Sequence, residues 1–224
     1  MIRLLGVLFT VLLIPSCECT KDNQWVSLMD ESSWKGYLMD EVPAHWVFKD
    51  GELICSELEN KPQIDIITRD SYENFVLELQ WNIEPKGNSG IFYHLVEDQK
   101  YGGPYQTAPE YQLIDDIEFP SPIEEWQKTA ANYAMHPPYK LDLFKGAGKW
   151  NTSRISYDHG KVQHWLNGEL VVEFDQNSKQ WETLKNSGKW KDYPDYKISN
   201  SGPIGLQDHG VGIRFKDIRI KRLE

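Results

Sequence analysis

Glu110, Gln112, Gln207 and His209 combine types and spacing that could do chemistry. In Glu110-Tyr111-Gln112-Leu113-Ile114-Asp115, strand alternation puts Glu110, Gln112 and Ile114 on one face. Tyr111, Leu113 and Asp115 take the other. In Gly205-Leu206-Gln207-Asp208-His209, the same rule groups Gly205, Gln207 and His209, with Leu206 opposite. It also assigns Asp208 to the far face, as a structural residue. If the two polar faces look into one cleft, a carboxylate, amides and an imidazole converge. A sheltered carboxylate and a His can be tuned as general base and acid. The plainer alternative is a structural Glu110–His209 pair, or two strand ends. His164 in Gln163-His164-Trp165 fits a satisfied core or rim residue as well as a site. Gly87-Asn88-Ser89-Gly90 reads as a turn opening the strand Ile91-Phe92-Tyr93-His94, with Asn88 the polar side chain at its start.

Many short strands must position these residues. The clearest is 75–83, with Phe75, Leu77, Leu79, Trp81 and Ile83 on one face and Val76, Glu78, Gln80 and Asn82 on the other. Others are expected at 46–48, 52–56, 64–68, 90–95, 111–114, 152–158, 161–166, 169–174, 202–207 and 212–221. Asp50-Gly51, His159-Gly160 and Asn167-Gly168 are tight-turn signals. Helical turns are expected only near 123–131 and 179–186. This spacing predicts an all-β fold, a two-sheet antiparallel sandwich or barrel in one domain, 25–224. The polar, Pro-rich stretch 97–138 is long enough to shape a site.

Composition narrows the function. The 224 residues carry a formal charge of −10, which argues against binding a phosphate backbone. Arg214, Lys216, Arg219, Lys221 and Arg222 alternate with Ile213, Phe215, Ile218 and Ile220, so this basic run reads as the wet face of a strand. Nine Trp and eleven Tyr suit either a β-rich core or a sugar site. No Gly-x-Ser-x-Gly elbow, P-loop, full dinucleotide fingerprint or His-Glu-x-x-His occurs, so no nucleotide cofactor is expected.

At the N-terminus, Arg3 precedes the apolar run Leu4 to Ile14, which is too short to span as a mature helix. Ser16-Cys17 follows and resembles a lipobox. The expectation is a lipoprotein signal at 1–16, acylation of Cys17, and a polar tether over 17–24. An ordinary secretory signal is the alternative. The chain is then a bacterial cell-envelope protein, membrane-bound through a lipid on Cys17, on the periplasmic side or the outer-membrane surface. Cys55 reads as a small buried strand residue, and no structural disulfide is expected.

Five motifs in order resemble the 3-keto-disaccharide hydrolase family: Gly87-Asn88-Ser89-Gly90-Ile91, the 110–115 strand, Gly148-Lys149-Trp150-Asn151, His164-Trp165-Leu166-Asn167-Gly168, and Gly202 to Gly210. The resemblance covers about Trp25 to Leu223. It implies a concanavalin A-like jelly roll with a cleft on its concave sheet, acting on sugars already oxidised at C3. A C3 ketone acidifies the C2 hydrogen, because the carbanion is an enolate. A base takes that proton, the C1 substituent leaves, and water adds. On this reading Glu110 and His209 are base and acid in an order left open. Asn88, Gln112 and Gln207 orient hydroxyls, and Trp150 and Trp165 are candidate platforms. Asp115, His94 and His164 are further candidates, with His94, Glu110 and His164 as possible ligands of a divalent metal that polarises the ketone. Many members carry Arg where this chain has His94. The oxidised substrate implies a separate sugar 3-oxidoreductase as partner. A non-catalytic, lectin-like glycan-binding lipoprotein is the competing reading. A conventional glucanase is a third, but its Glu-x-Asp-x-x-Glu strand is lacking.

Overall fold

The computed structural model describes residues 24–57 and 62–224. The expected signal segment, Cys17 and the expected tether up to Asn23 lie outside the described residues.

Thirteen strands are described: β1 Val26–Ser27, β2 Trp34–Gly36, β3 Trp46–Lys49, β4 Glu52–Cys55, β5 Ile66–Thr68, β6 Phe75–Ile83, β7 Asn88–Phe92, β8 Glu110–Ile114, β9 Asn151–Asp158, β10 Lys161–Leu166, β11 Glu169–Asp175, β12 Gly205–Leu206 and β13 Ile213–Arg222. They form two antiparallel sheets. The larger runs β11-β10-β9-β6-β13-β4-β3, with β1 on the far end of β13; the smaller runs β2-β5-β12-β7-β8. The described residues include one α-helix, α1 Lys179–Ser187, capped by the Ser178 side chain, which accepts from the Trp181 N–H. The all-β sandwich is as the strand spacing predicted. Only a short 3-10 turn, Glu125–Gln127, forms in the 123–131 region.

The three Xaa-Gly signals close three hairpins. Asp50-Gly51, His159-Gly160 and Asn167-Gly168 all take positive φ at both positions. That geometry matches the strand twist and favours Gly at the second position.

Period-two alternation puts Phe75, Leu77, Leu79, Trp81 and Ile83 of β6 in the core, all buried, with Ile213, Phe215, Ile218 and Ile220 of β13. The smaller sheet answers with Ile66, Ile91, Tyr111, Leu113 and Leu206. A polar chain ties the layers together. Trp81 Nε1 donates to Ser153 Oγ (2.9 Å), Ser153 Oγ donates to Tyr111 Oη (2.8 Å), and Tyr111 Oη donates to the Trp165 carbonyl (3.0 Å). The Trp81 indole N–H and the Ser153 and Tyr111 hydroxyls are thereby satisfied. With Tyr111 fastened inward, its neighbours Glu110 and Gln112 must point to the smaller sheet's outer face.

Candidate active site on the outer face of the smaller sheet

That outer face holds a cleft of about 350 Å³. Glu110 and Gln112 of β8, Asn88 of β7, and Gln207 and His209 after β12 all line it. The four residues that alternation grouped on two separate strands, Glu110 with Gln112 and Gln207 with His209, are therefore neighbours, with Asn88 beside them. Gln112 Nε2 donates to Asn88 Oδ1 at 3.0 Å across the β7–β8 pair. The Gln207 backbone N–H is fixed on the Gly90 carbonyl at 2.9 Å, while its side-chain Oε1 has no partner among the described residues. His209 is exposed at the mouth.

Gly90 makes the room for Glu110. It sits on the same outward face, opposite Gln112 in register. A Cβ there would overlap Glu110 Oε1 and lie 2.9 Å from its Cδ and Cγ. The Glu110 side chain thus lies flat over the Gly90 backbone.

The 97–138 stretch supplies the walls, through Gly102, Gly103, Tyr105 and Tyr133. Tyr133 is brought in because residues 130–133 pair along the free edge of β8: Ala130 N–H to Gln112 O, Gln112 N–H to Ala131 O, and Tyr133 N–H to Glu110 O. Lys189, just beyond α1, stands at the rim with Nζ 4.5 Å from the Tyr133 ring centre and 4.7 Å from that of Trp190. Cation–π attraction of this kind orients an ammonium.

The cleft is electrostatically unusual. Glu110 is 5 % exposed, and burial pushes its carboxyl up to about 8; Lys189 opposes the shift and Asp65 adds to it. Asp65, also lining the cleft, is pushed up to about 7 by burial, with the neighbouring Asp208 charge adding to the rise and the Asp208 N–H opposing it. Two carboxyl groups in one pocket are thus poised near neutrality, the range that proton transfer to and from substrate requires.

Several expected residues lie elsewhere. His164 shares the core-facing side of β10 with Val162 and Leu166, fully buried, with Nδ1 on the Ala130 carbonyl at 2.9 Å. Burial holds it near 3. His94 follows β7 in a left-handed turn (φ 57°), its ring packed 4.2 Å from Tyr157 and Nε2 on the Glu73 carbonyl at 2.8 Å. It too is held near 3 by burial. Both imidazoles are core residues, and only Glu110 of the expected metal trio reaches the cleft, so these three do not form a ligand set. Asp115 is buried and accepts from the backbone N–H groups of Lys86, Ile117 and Glu118, which makes it a turn organiser. Trp165 and Trp150 sit on the outer face of the larger sheet, beside Arg154 and Lys216 respectively. Neither can be a platform for this cleft.

Other cleft residues escape the alternation rule. It assigns Asp208 to the far face, but β12 stops at Leu206, so the pattern ends before it. The buried Asp208 carboxylate instead binds His45 Nε2 (2.9 Å), the Ile64 N–H (3.0 Å) and the Gly210 N–H (2.9 Å). Cys55 completes a buried cluster with these two side chains, and its thiol is raised by burial and by Asp208. The carboxylate's hydrogen bonds account for this cluster without a further ligand. Asp65 had a legible signal, since Gln63 and Asp65 alternate with Ile64 and Ile66 just ahead of β5. Tyr105, Tyr133 and Lys189 lie outside strands, where no periodic pattern marks them.

Comparison with known proteins agrees with this architecture. The 3-keto-alpha-glucoside-1,2-lyase-like domain matches residues 24–221. A 3-keto-disaccharide hydrolase of Bacteroides thetaiotaomicron is 32% identical, over 86% of this chain and 75% of its own. A solved Parabacteroides distasonis protein, provisionally named a glycosyl hydrolase, is 39% identical with a TM-score of 0.84, over 89% of this chain and 94% of that one. A laminarinase from Flavobacterium, at 13% identity and a TM-score of 0.51, over 86% of this chain and 94% of its own, shares the jelly-roll fold alone. The match over nearly all of the described residues shows that this chain belongs to the 3-keto-alpha-glucoside-1,2-lyase-like family.

Proposed function

We propose that this protein cleaves 3-keto-glycosides by taking the C2 proton, expelling the C1 substituent and adding water to the resulting enone. The observation that carries the reading is Glu110: a buried carboxyl poised near neutral pH, lying over Gly90 among amide side chains that suit sugar hydroxyls. Burial makes it a stronger base than a solvated carboxylate, matched to a hydrogen acidified by the adjacent ketone. Lys189, at the rim on the Glu110 side, supplies positive charge where the ketone oxygen gains negative charge. Asn88, Gln112 and Gln207 orient the ring. The Bacteroides relative is named a hydrolase and the family domain a 1,2-lyase. Elimination across C1–C2 followed by hydration reconciles the two descriptions, because the net change is hydrolysis. This route differs from the two-carboxylate oxocarbenium mechanism of ordinary glycosidases.

The Leu4–Ile14 run and Cys17 lead us to place the enzyme in the cell envelope on a lipid anchor, with a separate sugar 3-oxidoreductase supplying its substrate.

Incubating the purified protein with a 3-keto-glucoside and the matching unoxidised glucoside tests the reading. Release of aglycone from the first alone is expected. Sugar binding with no release from either would favour a lectin-like protein, and equal cleavage of both a conventional glucanase.

A further inference from the structure

We infer that Asp65 is the acid that protonates the departing C1 oxygen, aimed by the His45–Asp208 pair beneath it. The inference rests on the elimination reading above.

The geometry separates the cleft's carboxyl groups by role. Asp208 is fully engaged: Oδ2 takes His45 Nε2 and the Ile64 N–H, and Oδ1 takes the Gly210 N–H. Both of its oxygens are thus occupied within the fold. Asp65 differs. Its Oδ1 accepts the Asp208 backbone N–H at 2.8 Å, which fixes the rotamer, and its other oxygen carries no hydrogen bond among the described residues. The acid proton therefore belongs on Oδ2. Burial and the Asp208 charge below hold that proton on, and Glu110 shares the same lining. Lys189 and the exposed His209 are the remaining titratable groups of the lining beside the Tyr side chains. The strut beneath is anchored in the fold, because Asp208 joins His45, just ahead of β3, to the Ile64 N–H next to Asp65.

The proton balance closes. Glu110 takes the C2 hydrogen, the C1–O bond breaks as C1=C2 forms, and the Asp65 proton goes to the leaving oxygen. Asp65, now ionised, takes a proton from a water molecule as the water oxygen adds to C1. Glu110 returns its proton to C2. Both carboxyl groups end as they began.

Asp65→Asn tests this, since the amide keeps the shape and still accepts from Asp208. An absent acid hurts poor leaving groups most. With methyl 3-keto-glucoside, kcat is expected to fall by about 100-fold or more, within the usual range for general acid catalysis. With 4-nitrophenyl 3-keto-glucoside, whose phenolate leaves unaided, the single-turnover rate of phenolate release should change by less than about threefold, because that step needs no general acid. His45→Gln, which loosens the strut and leaves Asp65 in place, should show the same dependence at smaller size, while His209→Ala should not. Equal losses on both substrates in Asp65→Asn, or leaving-group dependence in His209→Ala, would overturn the assignment. Failure of the wild-type protein to cleave either substrate would instead remove the elimination reading on which it stands.

Discussion

Glu110→Gln is expected to lower kcat on a 3-keto-glucoside by about 10³-fold, within the range for loss of a positioned base. The same change should stabilise the fold at alkaline pH. Burial raises the Glu110 carboxyl from its ordinary 4.5 to about 8. The folded chain thus holds a proton that the unfolded chain releases at lower pH. Below the ordinary value both states are protonated and burial of the charge costs nothing. As pH rises toward 8 the penalty grows, and above 8 it is complete. Its upper bound is on the order of 5 kcal/mol, because each tenfold change in proton affinity is worth about 1.4 kcal/mol. Gln cannot ionise and escapes the penalty. Thermal unfolding of the two proteins at pH 5 and pH 9 should give similar Tm values at the lower pH and a higher Tm for the variant at the upper. A lower Tm at pH 9 would show that the carboxylate is well paired in the fold. Asp65 behaves alike, so the wild-type enzyme should show a bell-shaped kcat/KM profile centred between 7 and 8. The two limbs belong to the coupled pair.

Gly90→Ala should cost about 100-fold in kcat with little change in Tm, since a misplacement of about 1 Å at a reacting group suffices for that loss. The added methyl would overlap not only Glu110 Oε1 but its Cγ and Cδ, so the whole side chain must leave its place. The Gly90 backbone is an ordinary strand, paired with Gln112, and tolerates Ala. Gly51→Ala is the complementary control. Its Cβ meets nothing within 4 Å, yet its φ of 79° is strained for any other residue, so stability should fall and kcat should not. Wild-type turnover in Gly90→Ala would mean that Glu110 does not act from above Gly90.

The sequence revealed those parts of the molecule governed by strict periodicity. Phe75 to Ile83 alternates without a break, and Glu110 and Gln112 inherit their direction from the same rule through Tyr111. The Asp-Gly, His-Gly and Asn-Gly turns mark hairpins because only a few residues tolerate paired positive φ. Alternation misplaces a residue where a strand ends sooner than its pattern, as β12 does at Leu206. Gln207 was still held by the edge of β7, but Asp208 had left the ladder and turned down toward His45. His164 had two readings, core residue or site, and its burial beside Val162 and Leu166 on the same face places it in the core. Trp165, one residue on, points out of the larger sheet by that same alternation. Tyr105, Tyr133 and Lys189 reach the cleft through tertiary contacts alone, namely the pairing of residues 130–133 with β8 and the packing of Lys189 against aromatic rings.

The central claim is that a C2–H bond breaks in the slow part of the reaction, with Glu110 receiving the proton. Comparing kcat/KM for a 3-keto-glucoside with that for its C2-deuterated form tests this directly. A primary isotope effect well above unity in the wild-type enzyme is the predicted result. A ratio at or close to unity, with undiminished cleavage at C1, would contradict it and return the reaction to direct glycoside hydrolysis.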